Sequence, residues 1–311
     1  MSSQEAEMNA DVKQKLEECL AKYGISKAKA SRDMGYSSAM LSAYTTGNYN
    51  GDVKKLEDNI IRWVTRQDQA HSRKRIPVVE TLALKQMFNA IQLAHTEHDI
   101  ALIIADAGSG KTTAARYYAA KNENTVVLIN VVAGMNRKML VTEIAKQVGL
   151  ITPASKPAPL NQLIQDVAEE LAVRDSLVIL DEADYLKADA LEFVRRLVYD
   201  LGESGLVLIG LPRLRGMIQN LRNDHRQLES RIGISIEMTG LDKSDAMLIA
   251  KTVWNDVSSD VVNSIYAASK NDVRQFAKII ERMQNIMVEN NLEIPTVEAA
   301  EMASSYVLRR R

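Results

Sequence analysis

A glycine-rich segment that ends in a lysine and two threonines is the first place in this sequence where residue types and spacing indicate chemistry. Residues 105–113 read ADAGSGKTT and follow an apolar run at residues 100–105. The spacing is close to G-x-x-x-x-G-K-[ST], a loop whose backbone N–H groups surround phosphates at the start of a helix. We predict that the nucleotide-binding residues are Gly108, Ser109, Gly110, Lys111, Thr112 and Thr113.

Two residues of this loop have separate predicted tasks. Lys111 supplies a cation to the outer phosphates, and the Thr112 hydroxyl is a ligand for Mg²⁺. The position that carries the first glycine of the pattern is Ala105 here. Taken alone, the segment also fits a chance Gly-Ser-Gly turn before a helix, so the prediction needs a second element.

That second element is acidic. Residues 177–184 read LVILDEAD, an apolar run that ends in two acids. Phosphoryl transfer needs one carboxylate for the metal and another for the nucleophile, so we predict that Asp181 holds Mg²⁺ through water and that Glu182 polarises the attacking water. The alternative, a solvated acidic loop, is disfavoured by the presence of both motifs in one predicted sheet. Asp106 and Asp184 are expected to be surface charges, and the predicted cofactors are ATP and Mg²⁺.

Two arginines fit the remaining tasks at such a site. Arg231 lies just before the last predicted strand, and Arg274 lies at the start of a helix in the C-terminal region. An arginine from a neighbouring subunit can stabilise the charge on the γ-phosphate, and one from a lid can sense it. Arg226 is the second choice for the first task. For any one of these arginines, the alternative is a surface salt bridge.

The elements that must position these residues follow from apolar runs and helical patterns. Residues 78–240 alternate helical patterns with strands predicted at residues 100–105, 126–130, 177–181, 206–210 and 232–238. Strands that are apolar on both sides and separated by helices predict the α/β class, with a parallel sheet sandwiched by helices. Residues 241–311 are predicted to be helical, as are residues 1–70, with residues 71–77 as the linker.

The helical N-terminal region contains a helix-turn-helix pattern at residues 27–46. Gly35 lies at the turn, and Ser37 can cap the second helix. The groove-facing side chains of that helix are small, Ser37 and Ser38 among them, and cannot read base edges bidentately. With Lys27 and Lys29 placed to contact phosphates, the pattern predicts DNA binding with little sequence choice. The alternative is a helical protein-interaction module.

Composition limits the remaining classes. The chain of 311 residues has a formal net charge of −1, so any nucleic-acid binding must come from local patches. One cysteine, Cys19, cannot form an internal disulfide, and no Cys/His cluster has zinc spacing. No run of about 18 apolar residues occurs. We therefore expect a cytoplasmic protein that does not associate with membranes.

Together these motifs resemble the B proteins of Mu-like transposable phages, which are target-selection ATPases of the AAA+ class. The resemblance rests on residues that are spread over most of the chain: YNGD at 49–52, VETLALKQM at 79–87, GKT at 110–112, LVILDEAD at 177–184, GLVLIG at 205–210 and SRI at 230–232. It implies a helix-turn-helix domain, an AAA+ P-loop NTPase core at residues 78–240 and a helical lid at residues 241–311.

The resemblance also implies an activity. Such proteins are DNA-dependent ATPases that assemble with ATP as helical homo-oligomeric filaments on double-stranded DNA. They deliver that DNA to a DDE transposase and stimulate strand transfer, and hydrolysis clears them from DNA near the element, which gives target immunity. The implied location is the cytoplasm of a bacterial host. The family roles fall on Lys111, Thr112, Asp181, Glu182, Arg231 and Arg274.

The sequence departs from the family pattern at Leu211, where the class has a polar sensor residue. With Ala105, this departure bears on the efficiency of hydrolysis more than on nucleotide binding. The loop at residues 151–160 carries Lys156 as its one basic residue, so Arg137 and Lys138 are the alternative DNA contacts. Two other functions stay open: a helicase-loader or initiator-like replication ATPase, and a nucleotide-switched transcription regulator that does not turn over.

Overall fold

The chain divides into two units, residues 1–75 and residues 76–311. The computed structural model describes residues 10–72, 76–152, 158–219 and 226–305. Each unit has its own hydrophobic core, and each is described here by itself.

The N-terminal unit is built from helices: α1 (Ala10–Tyr23), α2 (Lys27–Asp33), α3 (Ser38–Thr45) and α4 (Val53–Ser72). The apolar residues of α1 and α4 recur at helical spacing and form one buried cluster with α3, which includes Val12, Leu16, Cys19, Leu41, Leu56, Ile60 and Trp63. Helix α2 and helix α3 are short, and each begins at a serine cap. The Ser37 hydroxyl accepts the N–H of Met40 at 3.2 Å, which confirms its prediction as a cap.

A buried tyrosine joins α3 to α4 in this unit. The Tyr44 hydroxyl donates a hydrogen bond to Glu57 Oε1 at 2.9 Å. Burial of the ring raises the pKa of Tyr44, and the hydrogen bond and the charge of Glu57 raise it further. The protonated phenol is therefore the form that the folded unit favours.

The C-terminal unit is centred on a parallel sheet, whose strands are β1 (Ile100–Ala105), β2 (Val126–Asn130), β3 (Leu177–Asp181), β4 (Gly205–Gly210) and β5 (Ile232–Met238). Their order is β2-β3-β4-β1-β5, and every pairing is parallel. The α/β prediction is thus confirmed, and four of the five strands begin and end where the sequence predicts. Strands β1, β3 and β4 are buried along their full length.

The edge strands do not fit the expectation of burial on both sides, and β5 departs from it most. Along β5, half-buried residues alternate with exposed ones. The strand lies at the sheet edge and is paired with β1. Its alternation of apolar and polar residues, in Ile234-Ser235-Ile236-Glu237, is the pattern of a strand with one solvated face.

Helices cover both faces of the sheet. They are α5 (Leu82–Thr96), α6 (Lys111–Lys121), α7 (Arg137–Gln147), α8 (Leu160–Val173), α9 (Ala188–Val194), α10 (Pro212–Gln219) and α11 (Arg226–Ser230). Because side chains alternate along a strand, Ala101 and Ile103 of β1 pack with α5 and α6, whereas Ile100, Leu102 and Ile104 pack in the cluster that contains α7 and α8. A 3₁₀ turn (Ala183–Tyr185) follows β3, and a π-helical segment (Arg195–Leu201) continues α9.

The sheet is followed by a helical lid that belongs to the same unit: α12 (Lys243–Val253), α13 (Ser259–Ser269), α14 (Val273–Glu289) and α15 (Val297–Ser304). The lid has its own apolar cluster around Phe276, Ile279 and Met283. Ile76 and Val79, which precede α5, pack against this cluster. The segment before the sheet and the lid after it therefore meet on the same side of the fold.

Candidate functional site

The loop between β1 and α6 has the backbone shape that phosphate binding requires. Gly108 and Gly110 have φ values of 77° and 93°, in the left-handed region that glycine adopts without strain. Helix α6 begins directly after Gly110, and no side chain caps its amino end. The first N–H groups of this helix are therefore open to an anion at the positive end of the helix dipole.

Lys111 lies at the start of α6 and folds back over the loop. Its Nζ donates hydrogen bonds to the carbonyl oxygens of Ala105 at 2.7 Å and Asp106 at 2.6 Å. Burial lowers the pKa of Lys111, and the carboxylates of Asp181, Asp184, Asp106 and Glu182 act against that shift. The ammonium is thus held in a partly desolvated position where an incoming polyphosphate would interact with it strongly.

The acidic residues at the end of β3 lie beside this loop. Asp181 is 3% exposed, and its Oδ1 accepts the N–H of Glu182 at 3.0 Å. Glu182 is exposed and has a φ of 60°, an unfavourable conformation for a residue with a side chain. The fold therefore turns the chain sharply at this point, with one carboxylate buried and the next exposed.

Asp184 corrects one sequence prediction, because it is a buried residue and not a surface charge. Its carboxylate accepts the N–H of Leu211 at 3.1 Å and the Nε of Arg213 at 2.5 Å. The Arg213 guanidinium in turn lies 4.8 Å from the centre of the Tyr185 ring. Asp184 thus joins the end of β3 to the loop after β4. Asp106 is exposed, as predicted.

The lid contacts the phosphate loop through the start of α14. The N–H of Val273 donates to the carbonyl of Gly108 at 2.9 Å. Asp272 caps α14 by accepting the N–H of Gln275 at 3.0 Å, and its carboxylate lies directly against Gly108. Asp272 was not predicted as a site residue, although its position two residues before a predicted site arginine was a usable signal.

A second lid residue holds the start of α5. The buried carboxylate of Asp245 accepts the N–H groups of Leu82 at 2.9 Å and Ala83 at 3.3 Å. These are unpaired donors of the first helical turn, which a carboxylate satisfies well. No local pattern predicts this contact, because the partners lie more than 160 residues apart.

These elements enclose a cavity of about 540 Å³, within the range of small-molecule sites. The cavity brings together the predicted nucleotide, metal and lid residues: Gly108, Ser109, Gly110, Lys111, Thr112, Thr113, Asp181, Glu182 and Arg274. Its apolar side is formed by residues from the segment before α5 and from the lid, among them Val78, Val79 and Ile249. Apolar surface on one side and a phosphate loop on the other suit a nucleoside polyphosphate.

Arg231 lies elsewhere. It precedes β5, whose first residue pairs with the first residue of β1, so it lies at the amino-terminal ends of the strands, whereas the phosphate loop follows the carboxyl-terminal end of β1. Its Nη1 donates to Asp200 Oδ1 at 2.7 Å. The side chain of Arg226, the second choice for its task, lies outside the described residues. The structure therefore does not place Arg231 in the cavity of its own chain.

The donors that line the cavity fit a magnesium ion. Thr112 offers a hydroxyl and Asp181 a carboxylate, both hard oxygen ligands. In the described ranges, no cluster of three or more His, Cys, Asp or Glu side chains could hold a metal by itself. Mg²⁺ normally takes one or two protein oxygens and the rest from phosphates and water, so a sparse donor set is what such a site requires.

One buried hydroxyl in the loop is unsatisfied. Ser109 Oγ is buried and has no hydrogen-bond partner within the part of the chain that the structure describes. A buried hydroxyl without a partner is costly. Its position in the phosphate loop is consistent with a ligand that carries oxygen acceptors.

The predicted DNA-contacting residues are exposed. In the N-terminal unit these are Lys27, Lys29, Ser37 and Ser38, and Lys27 Nζ donates to Thr45 Oγ1 at 3.3 Å. In the C-terminal unit, Arg137 and Lys138 form the first turn of α7, where Arg137 pairs with Asp189 at 3.2 Å. Of the helices in residues 10–72, 76–152, 158–219 and 226–305, none has the length and apolar character to cross a bilayer.

Comparison with known proteins agrees with this geometry. Residues 94–218 match the family model described as an AAA domain. The chain is 29% identical over 227 residues to the ATP-dependent target DNA activator B of Escherichia phage D108, covering 70% of each protein. It is 27% identical over 243 residues to the Mu-like prophage FluMu DNA transposition protein B of Haemophilus influenzae, covering 76% of this chain and 83% of that protein.

Among solved structures, the ORC2 protein of Aeropyrum pernix, in its ADPNP–ADP complexes, aligns with a TM-score of 0.60 at 17% identity, over 76% of this chain and 71% of that one. A likeness at this identity shows the fold. The predicted AAA+ P-loop NTPase fold is thus confirmed, and so is the resemblance to the B proteins of Mu-like phages.

Proposed function

We propose that this chain, an AAA+ ATPase similar to the B proteins of Mu-like phages, binds double-stranded DNA when it holds ATP and delivers that DNA as target to a DDE transposase. It stimulates strand transfer, and hydrolysis clears it from DNA near the element, which gives target immunity. It acts in the cytoplasm of a bacterial host. The observation that carries the proposal is the cavity that gathers the phosphate loop, Asp181, Glu182 and Arg274.

Each side chain of the cavity has a task in hydrolysis. The loop N–H groups and Lys111 bind the phosphates, and Thr112 with Asp181 holds Mg²⁺, which neutralises phosphate charge when it is bound. Glu182 orients the water that attacks the γ-phosphorus, the bond to the bridging oxygen of ADP breaks, and inorganic phosphate leaves. Arg274 on the lid contacts the γ-phosphate, so the lid responds to whether ATP or ADP is present.

The position of Arg231 supports assembly into a helical filament. Because this residue lies at the opposite end of the strands from its own phosphate loop, its side chain is available to the nucleotide of a neighbouring subunit. An arginine supplied in this way is worth about 10³–10⁵ in rate. One subunit would then complete the active site of the next, and ATP would promote both assembly and turnover.

Contacts with DNA are proposed at Lys27, Lys29, Ser37 and Ser38 and at Arg137 and Lys138. Small side chains at the groove-facing positions leave the phosphates as the main determinant of affinity. The affinity for duplex DNA should therefore fall steeply as salt rises. Scrambled duplexes should bind within about 4 kcal/mol of one another, below the range of specific binders.

A comparison of affinities for different DNA molecules also distinguishes the competing functions. A single operator-like sequence preferred about 1,000-fold would support a transcription regulator, since specific binding begins near that ratio. A strong preference for single strands over duplex would support a helicase loader. Similar affinity for all duplexes of equal length supports the proposal.

The role of Glu182 is tested by Glu182→Gln. The amide keeps the size of the side chain but cannot act as a carboxylate toward water, so ATP should bind, hydrolysis should fall and complexes with DNA should persist longer. Asp106→Asn is the matched control, because Asp106 is exposed and its charge also acts on Lys111. If Glu182→Gln hydrolyses ATP at the parental rate, the assignment is wrong; equal losses in both variants would indicate a general effect of charge near Lys111.

A further inference from the structure

A buried arginine, Arg195, lies at the centre of a charged network that extends to Arg231. The side chain of Arg195 is 2% exposed. It pairs with Glu192 at 2.6 Å and Asp200 at 2.6 Å, and donates to Gln227 at 3.2 Å. Burial alone would lower the pKa of Arg195, but the hydrogen bonds and charges of Glu192 and Asp200 outweigh it and raise the pKa. The network is therefore fixed in place by groups that are costly to unpair.

Asp200 extends this network to Arg231. Its Oδ2 binds Arg195, while its Oδ1 accepts Nη1 of Arg231 at 2.7 Å. The Arg231 guanidinium also lies 5.8 Å from the centre of the Tyr199 ring. One carboxylate thus holds a buried arginine with one oxygen and an exposed arginine with the other.

The local backbone explains why both partners come from one short segment. Residues Arg195–Leu201 form a π-helical continuation of α9, an uncommon conformation that is found often at functional positions. This segment carries Tyr199 and Asp200 and, through Arg195, contacts Gln227 on α11, the helix that leads directly to Arg231. The side chain of Arg231 and the backbone that carries it are therefore held by the same segment.

We propose that Asp200 is a positioning residue for Arg231 and so controls ATP turnover in the neighbouring subunit. This inference rests on the proposed function. The bond to Asp200 uses one of the five N–H donors of the guanidinium, and the side chain is 45% exposed, so further donors can reach a phosphate. An arginine that is held in this way loses less rotamer freedom when it meets the phosphate.

The test uses the full chain with DNA, Mg²⁺ and ATP, and compares Asp200→Asn with the control Glu192→Gln. Asp200→Asn should lower kcat by about 10- to 30-fold. An Arg231 side chain that is no longer held must lose its rotamer freedom when it contacts the phosphate, and a penalty of that kind has this size. The KM of Asp200→Asn for ATP should not change, because its own cavity is intact. Glu192→Gln perturbs the same buried arginine but leaves both contacts of Arg231 in place, so its kcat should stay within about twofold of the parental value, well short of the fall expected for Asp200→Asn.

A mixture of subunits and a double variant separate positioning from a structural role. Adding Lys111→Ala subunits should restore activity to Asp200→Asn, because they offer an intact arginine to the intact cavity of the variant. The double variant Arg231→Ala with Asp200→Asn should have a kcat no lower than that of Arg231→Ala alone, because Asp200 acts through Arg231. Equal losses in Asp200→Asn and Glu192→Gln, or no restoration in mixtures that co-assemble on DNA, overturn the inference.

The outcomes also distinguish a failure of this inference from a failure of the proposed function. If Arg231→Ala is inactive and Asp200→Asn is fully active, Asp200 has no positioning role and the proposed function stands. If Arg231→Ala is itself fully active, the proposed role of Arg231 fails first. If Asp200→Asn does not fold, Tyr199→Leu is the variant to test, because it removes the other contact of the Arg231 guanidinium. The expected fall in kcat is then about two- to fivefold, and an unchanged kcat contradicts the inference.

Discussion

The contact between the lid and the phosphate loop can be tested by adding one methyl group at Gly108. The φ of Gly108 is 77°, and a Cβ there would overlap the Asp272 carboxylate, whose farther oxygen would lie at 2.6 Å. The carboxylate cannot turn away without losing its hydrogen bond to the N–H of Gln275, which caps α14. Gly108→Ala should therefore strain the loop and disturb the lid at the same time.

The magnitude follows from three contributions. A left-handed alanine costs about 1–2 kcal/mol, and loss of the Asp272 cap costs about 1 kcal/mol. Alanine also lowers the conformational entropy of the unfolded chain, which offsets about 0.4–1 kcal/mol of this destabilisation. Gly108→Ala should thus lower the free energy of unfolding by about 2 kcal/mol, by the sum of these contributions.

Gly110→Ala is the matched control. Its φ of 93° imposes similar backbone strain, but the nearest atom to its Cβ would be Met87 Cε at 4.0 Å. It should cost about 1 kcal/mol less than Gly108→Ala, because the cap that Asp272 provides for α14 is not disturbed. Urea denaturation without nucleotide, followed by Trp254 fluorescence in a Trp63→Phe background, measures both. Equal losses in the two variants would refute the contact between Asp272 and the loop.

Two further predictions concern other contacts. Asp245→Ala leaves the N–H groups of Leu82 and Ala83 without their acceptor, so the same denaturation assay should show a loss of about 1–3 kcal/mol. In the N-terminal unit, the raised pKa of Tyr44 means that its contribution is complete below the unfolded pKa of about 10 and is lost as pH rises above it. Tyr44→Phe should remove the loss in free energy of unfolding between pH 8 and pH 10.5, the latter about half a unit above that pKa. Trp63 fluorescence follows the unfolding. If Tyr44→Phe loses as much stability over this range as the parental chain does, the prediction is wrong.

The sheet was predictable from the sequence because its strands are short apolar runs between helical patterns. The one shifted boundary is at β4, which begins at Gly205, one residue earlier than predicted. A glycine carries no side chain to signal burial, and here a Cβ would meet the carbonyl of Ala94. The phosphate loop and Asp181 were predictable for a different reason: their chemistry demands fixed residue types at fixed spacing.

The residues that connect the site to the rest of the fold were not predictable. Asp184 was interpreted as a surface charge because an acid after a strand usually is one, and its partner Arg213 lies in the first turn of α10, 29 residues further along the chain. Asp245 and Asp200 act on residues far away in sequence, so no local period reveals them. Such pairings are fixed by tertiary packing, which a single sequence does not display.

The retention of labelled duplex DNA with and without ATP shows whether the cavity controls binding to DNA. The parental chain should retain DNA with ATP and release it without. Lys111→Ala should not retain DNA under either condition, because the phosphates lose their main cation. Lys121→Ala, at the far end of the same helix, should behave as the parental chain does. If Lys111→Ala retains as much duplex DNA with ATP as the parental chain does, the cavity does not control DNA binding and the proposed function is wrong.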